Sequence, residues 1–375
     1  MATARREYKI ISSDAHTVEP PDLWEKWLEK KYLDTAPKLV DDGDGGHAWI
    51  YMGAKTPEPL GLVTCVGTRP EELKWTGARY GSTIHPGCHD GAERLKLMDT
   101  DGVDAEVLYP PQRAMLTFMK NQDKDAHLAG VRAYNRWLKE GFCAPDPERL
   151  IGIFQMPNVG IETCVQELQR AKKEGYRGVA LSAWPSGGDN LRPEDDPFWD
   201  AAAQLDMPVS IHLLLAAQQA KMGASGKGSV AIGASSLMFS MPIMVELIFQ
   251  RVFDRFPKLR VALVEVGAGW IPHFLEMVDD RYWRNRHWTN TNVKKVPSQY
   301  FKDHMLATFI TDYIGVAIRH QIGINNLAWS TDFPHHGNDW PYSRKTIETL
   351  FVNVPEDERH KIVCENAGRF WGLMR

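Results

Sequence analysis

The chain has 375 residues, is 43% hydrophobic and 25% charged, and carries a formal net charge of -4. A chain of that length holds one large domain or two ordinary ones, and its weakly acidic balance leaves no electrostatic footprint for nucleic acid or an anionic membrane. Its thirteen Trp and 10% aromatic content exclude a disordered chain.

In chain order, the opening segment MATARREYKIISSDAH has no apolar run before its first polar cluster, so no cleaved leader is expected. No stretch approaches the twenty or so apolar residues that a spanning helix needs. The cysteines (Cys65, Cys88, Cys143, Cys164, Cys364) are odd in number and widely spaced, which predicts reduced thiols in a cytoplasmic protein. Short β-branched apolar runs follow at Lys9–His16, Val103–Pro110, Leu150–Pro157, Gly178–Trp184, Pro208–Leu214, Arg260–Gly267, Met305–Ile310 and Asn326–His335. Each has the length of a buried parallel strand. Amphipathic helical patterns alternate with them over Ala92–Asp101, Asp125–Gly141, Gly160–Gly175, Asp195–Asp206, Leu237–Phe256, Trp270–Arg284 and Pro355–Trp371. The alternation predicts an α/β fold, a closed (β/α)8 TIM barrel spanning residues 1–375 as one domain. The open doubly wound competitor is weakened because no G-x-G-x-x-G follows the first strand. Residues 17–88 interrupt the rhythm and are expected to be an insertion, a lid over the barrel mouth. A second irregular stretch, Leu215–Ser236, is expected to be a loop on the same face.

In a barrel enzyme the site lies at the C-terminal ends of the strands. The first run ends in Asp14-Ala-His16, and strand alternation puts both side chains on one face, about 7 Å apart. Glu19 lies three residues further on. The fifth run carries His212, the sixth Glu265, and the eighth ends in Asp332, followed by His335 and His336. Imidazole and carboxylate converging from several strand ends suit a divalent transition metal. Taken singly, each has an ordinary reading: His212 as a core histidine, Glu265 as the partner of an Arg, Asp332 and Glu19 as caps, and the His pair as loop residues. Arg94 and Asp99 read as an ion pair on one helix face. Tyr109, Trp184 and Trp340 are candidates to line a pocket.

The segments SSDAHTVEPPDLW, ARYGSTIHPGCHDGAERLKLMDTDGVDAEVLYP, GYRGVALSAWP, PVSIH, VEVGAGWIPHFLEMVD, WSTDFPHHGNDWP and ENAGRFWG carry a resemblance over nearly the whole chain. It is to the amidohydrolase superfamily, in the amidohydrolase-2 branch that contains aminocarboxymuconate-semialdehyde decarboxylase. The resemblance implies a distorted TIM barrel with bound metal, Asp14 and His16 matching the first-strand ligands, His212 the fifth and Asp332 the eighth. The chain departs from the superfamily pattern in reading D-x-H rather than H-x-H on the first strand, in having no Lys on the fourth, and in placing Glu265 where the related decarboxylases have a His. The branch also looks similar to O2-dependent hydroxylases on this barrel, including 2-aminoisobutyrate hydroxylase subunits.

Three functions follow as expectations. The leading one is a dinuclear Fe/Mn monooxygenase acting on a small substrate. Asp14, His16, His212 and Asp332 hold one ion, and Glu19, Glu265 and His335 or His336 hold the second, with reductase and ferredoxin-type electron donors as partners. The alternative is a mononuclear Zn or Mn hydrolase or non-oxidative decarboxylase, with Glu265 or His335 as catalytic acid/base. The third is a non-catalytic subunit. The expected assembly is a homo- or hetero-oligomer with a related barrel subunit.

Overall fold

The structure is a computed structural model that describes residues 6–52, 54–111, 123–215, 230, 234 and 236–374. Each of the eight apolar runs forms a strand: β1 (Ile11–His16), β5 (Ala105–Tyr109), the pair β6 (Leu150–Gly152) and β7 (Phe154–Gln155), β8 (Val179–Leu181), β9 (Val209–His212), β10 (Val261–Val264), β11 (Met305–Phe309) and β12 (Leu327–Trp329). They are buried almost throughout, as strands covered on both faces must be.

The parallel order is β1-β5-β6, then β7 through β12. The third run is broken at Ile153: β6 pairs with β5, and β7 pairs with β8. The break leaves no gap, because the Ile153 amide still donates to the Leu108 carbonyl at 2.9 Å and the Phe154 amide to the Gly178 carbonyl at 3.1 Å. Closure between the first and last strands is made past the end of β12. There the Asp332 amide donates to the Asp14 carbonyl (3.0 Å), the His16 amide donates to the Phe333 carbonyl (2.6 Å), and Ala15 bridges Phe333. The Ser13 hydroxyl adds a bond to the Trp329 carbonyl at 2.8 Å. This is a distorted barrel, and the seam that closes it brings two carboxylate-bearing segments side by side.

Helices fall where the 3.6-residue patterns lie, for example Gly91–Asp101, Lys124–Trp137, Ile161–Lys173 and Ile271–Asn285. The long pattern over Leu237–Phe256 is instead two helices, Ser240–Phe249 and Val252–Arg255, separated by Arg251 in the left-handed region (φ 62°). Within residues 17–88 lies a small antiparallel sheet, β2 (Lys38–Asp41), β3 (His47–Ile50) and β4 (Glu58–Pro59). The loop expected over Leu215–Ser236 lies almost entirely outside the described residues.

Arg94 does not pair with Asp99. Its Nη1 donates to Glu106 on β5 at 2.7 Å, its Nη2 to the His16 carbonyl at 2.6 Å and its Nε to the Gly87 carbonyl at 2.7 Å. Asp99 pairs with Arg149 at 2.7 Å. The helix turns Arg94 inward, where burying a guanidinium requires several acceptors around it. All five cysteines are free and buried. Among the described residues no helix is long and apolar enough to cross a membrane.

Candidate metal centre and active-site cavity

Four strand ends, those of β1, β9, β10 and β12, deliver polar side chains to the same spot. β1 ends on His16, with Asp14 two residues before it; its pairing with β5 shifts register between Ser12 and Ala15, which bends the strand locally. β9 ends on His212, in register with Val264 of β10. The chain then turns sharply: Leu213, Glu265 and Asp332 all have φ between 55° and 59°. Non-glycine residues in the left-handed region are uncommon and cost free energy, so three of them beside one site mark a place where position is held against local preference. The Glu265 turn is pinned by its amide donating to the Thr308 hydroxyl at 2.8 Å.

The His212 and His16 Nε2 atoms are 3.1 Å apart. Asp14 Oδ1 is 3.4 Å from His16 Nε2 and 3.3 Å from His212 Nε2. His16 Nε2 is 3.2 Å from Asp332 Oδ1, and His212 Nε2 is 3.5 Å from Glu265 Oε2. His335 Nδ1 reaches Asp332 Oδ1 at 3.0 Å, and its ring stacks on His16 with centroids 3.8 Å apart. Donors about 2.0–2.2 Å from one ion, at roughly 90–110° to each other, lie about 2.9–3.5 Å apart. The observed spacings are of that size. Asp14 is fully buried, and neither of its oxygens has a hydrogen-bond partner. A buried carboxylate without hydrogen bonds is costly unless a cation faces it. The set contains no thiolate and suits a divalent metal ion.

Two donor groups are present among the described residues, Asp14–His16–His212–Glu265 and His16–Asp332–His335, and they share His16. Glu19 and His336 belong to neither. Glu19 is buried in the segment after β1; the Tyr51 hydroxyl donates to its Oε1 at 3.1 Å, and the Tyr80 hydroxyl donates to its carbonyl at 2.6 Å. His336 is exposed at the rim.

The electrostatics divide the carboxyls. Burial pushes Glu265 well above the ordinary carboxyl range, and the nearby charges of Asp332 and Asp14 push it further. Burial also opposes ionisation of Asp332, but the charge of His335 and hydrogen bonds from His16 and His335 outweigh it and hold Asp332 well below its usual value. Burial raises Glu19 to about 7, against its own backbone amide and the Tyr51 bond.

A cavity of about 160 Å³ opens over this cluster. His212, Glu265, Asp332 and His335 form its barrel side, and Val18, Glu19, Tyr51, Leu60, Leu62 and Val63, from the segment after β1, form the other. Glu265 is the most open of the clustered side chains, at 26% exposure against 8% for His212 and 0% for Asp14. Tyr109, Trp184 and Trp340 do not line it; Tyr109 lies beneath, its hydroxyl 3.0 Å from that of Ser210 and its ring 5.5 Å from that of His212.

A closed barrel with carboxylate and imidazole donors converging at one rim defines a metal-dependent enzyme. Residues 47–373 match the family model described as Amidohydrolase, and the chain belongs to that family. The matched range begins after β1, so the structure alone places Asp14 and His16 in the site. Among curated proteins, the chain is 26% identical over 300 residues to gamma-resorcylate decarboxylase of Rhizobium radiobacter, covering 75% of this chain and 86% of that protein. Among solved structures it is similar to amidohydrolase map2389c of Mycobacterium avium subsp. paratuberculosis, with TM-score 0.77, 18% identity, and 98% and 100% of the two chains covered. It is also similar to a dihydroxybenzoic acid decarboxylase of Polaromonas sp. JS666 with bound manganese and the inhibitor 2-nitroresorcinol, with TM-score 0.64, 18% identity and 98% of each chain covered.

These relatives overturn the expected dinuclear Fe/Mn monooxygenase, since those with a named activity are decarboxylases. Of the residues expected to hold the second ion, Glu265 and His335 lie in the two donor groups, which share His16, and Glu19 and His336 lie in neither.

Proposed function

We propose that the chain is a non-oxidative decarboxylase that removes CO2 from a small, single-ring carboxylic acid and depends on one divalent metal, manganese rather than iron. The observation that carries this reading is the group of Asp14, His16, His212 and Glu265, with Asp332 3.2 Å from His16 Nε2, opening on a cavity of about 160 Å³. That volume is close to the roughly 150 Å³ engineered cavity that admits benzene. The names of the relatives support the reaction, and the bound manganese of one of them supports the metal.

When bound, the metal supplies a positive centre that anchors and polarises the substrate carboxylate. The chain's own residues do the rest. Glu265 presents its carboxyl group to the cavity, and burial and its anionic neighbours favour the protonated form there. As the bond between the ring carbon and the carboxyl carbon breaks, its electron pair stays on the ring carbon, and that carbon takes the proton from Glu265. CO2 leaves, and Glu265 regains a proton from solvent, so a carboxylate and one proton become the ring C–H and CO2. Val18, Leu60, Leu62 and Val63 make an apolar wall that keeps bulk water from the developing charge. No electron enters or leaves, so the expected reductase and ferredoxin partners have no place in this reaction.

The test is CO2 release from a panel of hydroxybenzoates by manganese-loaded enzyme in D2O. One deuteron is expected on the ring carbon per CO2 released. Glu265→Gln should retain the metal and lose about 100-fold or more in turnover. Oxygen consumption tied to turnover, or no CO2 from any ring acid, contradicts the proposal, and loss of metal in Glu265→Gln makes Glu265 a ligand instead of the acid.

A further inference from the structure

Glu19 is left over by the metal site. It is 1% exposed and lines the same cavity as His212, Glu265 and Asp332, on the wall contributed by the segment after β1. Its backbone is tied by the Tyr80 hydroxyl and one carboxyl oxygen is occupied by the Tyr51 hydroxyl, so neither is free to swing. The other oxygen, Oε2, is buried and has no hydrogen-bond partner. A buried acceptor left open in this way costs about as much as a lost hydrogen bond, unless a ligand completes it.

The rest of the cavity sets the direction of the ligand. No Lys or Arg is among the described residues that line it. Among the described lining residues, the cation-binding nest is the place that takes a substrate carboxylate. The substrate's other end then lies among the remaining lining residues, where Glu19 carries a buried, open acceptor.

We propose that Glu19 is a specificity residue whose Oε2 accepts a hydrogen bond from an O–H or N–H donor on the substrate ring, away from the carboxylate. This rests on the decarboxylase reading and narrows its substrate class: ring acids with a distal hydroxyl or amino group fit, and ring acids without a donor do not. A site built to bond a substrate donor rejects the analogue lacking it far more strongly than an apolar pocket rejects a missing methylene.

The test is calorimetric titration, at a pH well above 7 where the Glu19 carboxyl has lost its proton, of manganese-loaded protein with benzoate and with the 3- and 4-isomers of hydroxy-, amino- and methoxybenzoate. Wild type should bind a hydroxyl or amino acid of at least one isomer about tenfold or more tightly than benzoate and than the matching methoxy acid. Comparing hydroxyl with amino separates the two donor sources. Glu19→Leu should erase that ratio while benzoate affinity stays within about threefold. Glu19→Gln keeps the shape of the site. With its carbonyl held by Tyr51, it turns an amide N–H2 toward the cavity, so the preference should reverse in favour of the methoxy acid. If donor probes keep their advantage in Glu19→Gln, or wild type binds all the probes equally, the inference is wrong and the decarboxylase reading stands. If wild type binds none of the ring acids, both fall.

Discussion

Arg94 offers the sharpest test of how the barrel holds its metal-site strand. The Arg94 side chain is fully buried and Glu106 is 4% exposed, with 2.7 Å between them. The same guanidinium holds the His16 carbonyl at 2.6 Å, directly behind a residue of the metal site. Arg94→Met keeps much of the volume but strands the Glu106 carboxylate, which costs about 3–5 kcal/mol when a buried partner is removed. The orphaned His16 carbonyl adds about 1–3 kcal/mol. Against a total stability of about 5–15 kcal/mol, the single variant is close to unfolding. Adding Glu106→Gln removes the stranded charge, so the double variant should recover roughly the charge part, about 3 kcal/mol. Urea unfolding of metal-free wild type, single and double variants at neutral pH reads this directly. Lowering the pH supplies a second reading. Burial already raises Glu106 with Arg94 in place, and removing the guanidinium that opposes it raises the folded pKa further, so the variant loses more stability than wild type as pH rises past about 4.5. A double variant no more stable than the single one, or a single variant indistinguishable from wild type, would refute the reasoning.

In metal-free protein Glu19→Gln should change the pH dependence of stability. Wild-type Glu19 holds its proton up to about 7 when folded and to about 4.5 when unfolded, so the folded state binds more protons between those values and stability falls as pH rises across them. Relative to Glu19→Gln, wild type should lose about 3 kcal/mol between pH 4.5 and 8, measured by urea melts, and a pH-independent difference would remove Glu19 as the cause. Gly91→Ala should destabilise by more than the usual 1–3 kcal/mol of overpacking, because an added Cβ falls 1.7 Å from the Phe142 carbonyl oxygen. An unchanged thermal midpoint would show that this contact can relax.

Much of the barrel is legible because buried parallel strands read as short continuous apolar runs, and the helices between them keep the 3.6-residue rhythm. The break at Ile153 is invisible in LIGIFQMP, since both halves are equally apolar and only their hydrogen-bonding neighbours differ. The sheet β2–β4 went unread because KLVD and HAWI are four-residue strands with no sustained alternation. At the site, Asp14, His16, His212, Glu265 and Asp332 stand out as polar residues ending apolar runs. Glu19 was misplaced for a different reason. It was expected to hold a second ion, but it lies outside both donor groups, and Tyr51 and Tyr80, far along the chain, decide where its carboxyl lies. Arg94 was paired with the wrong acid: Asp99, five residues on, is not its neighbour on the helix face, and the inward face meets Glu106 on the next strand.

The account depends on one ion gripped by side chains from opposite parts of the barrel. Metal analysis of protein prepared with manganese, iron and zinc all present, for wild type and His212→Ala, tests that most directly. About one divalent ion per chain is expected in wild type, and loss of most of it in the variant, with the fold retained by circular dichroism. Equal metal content in the two proteins, or none in either, would contradict the claim that the strand ends form a metal centre.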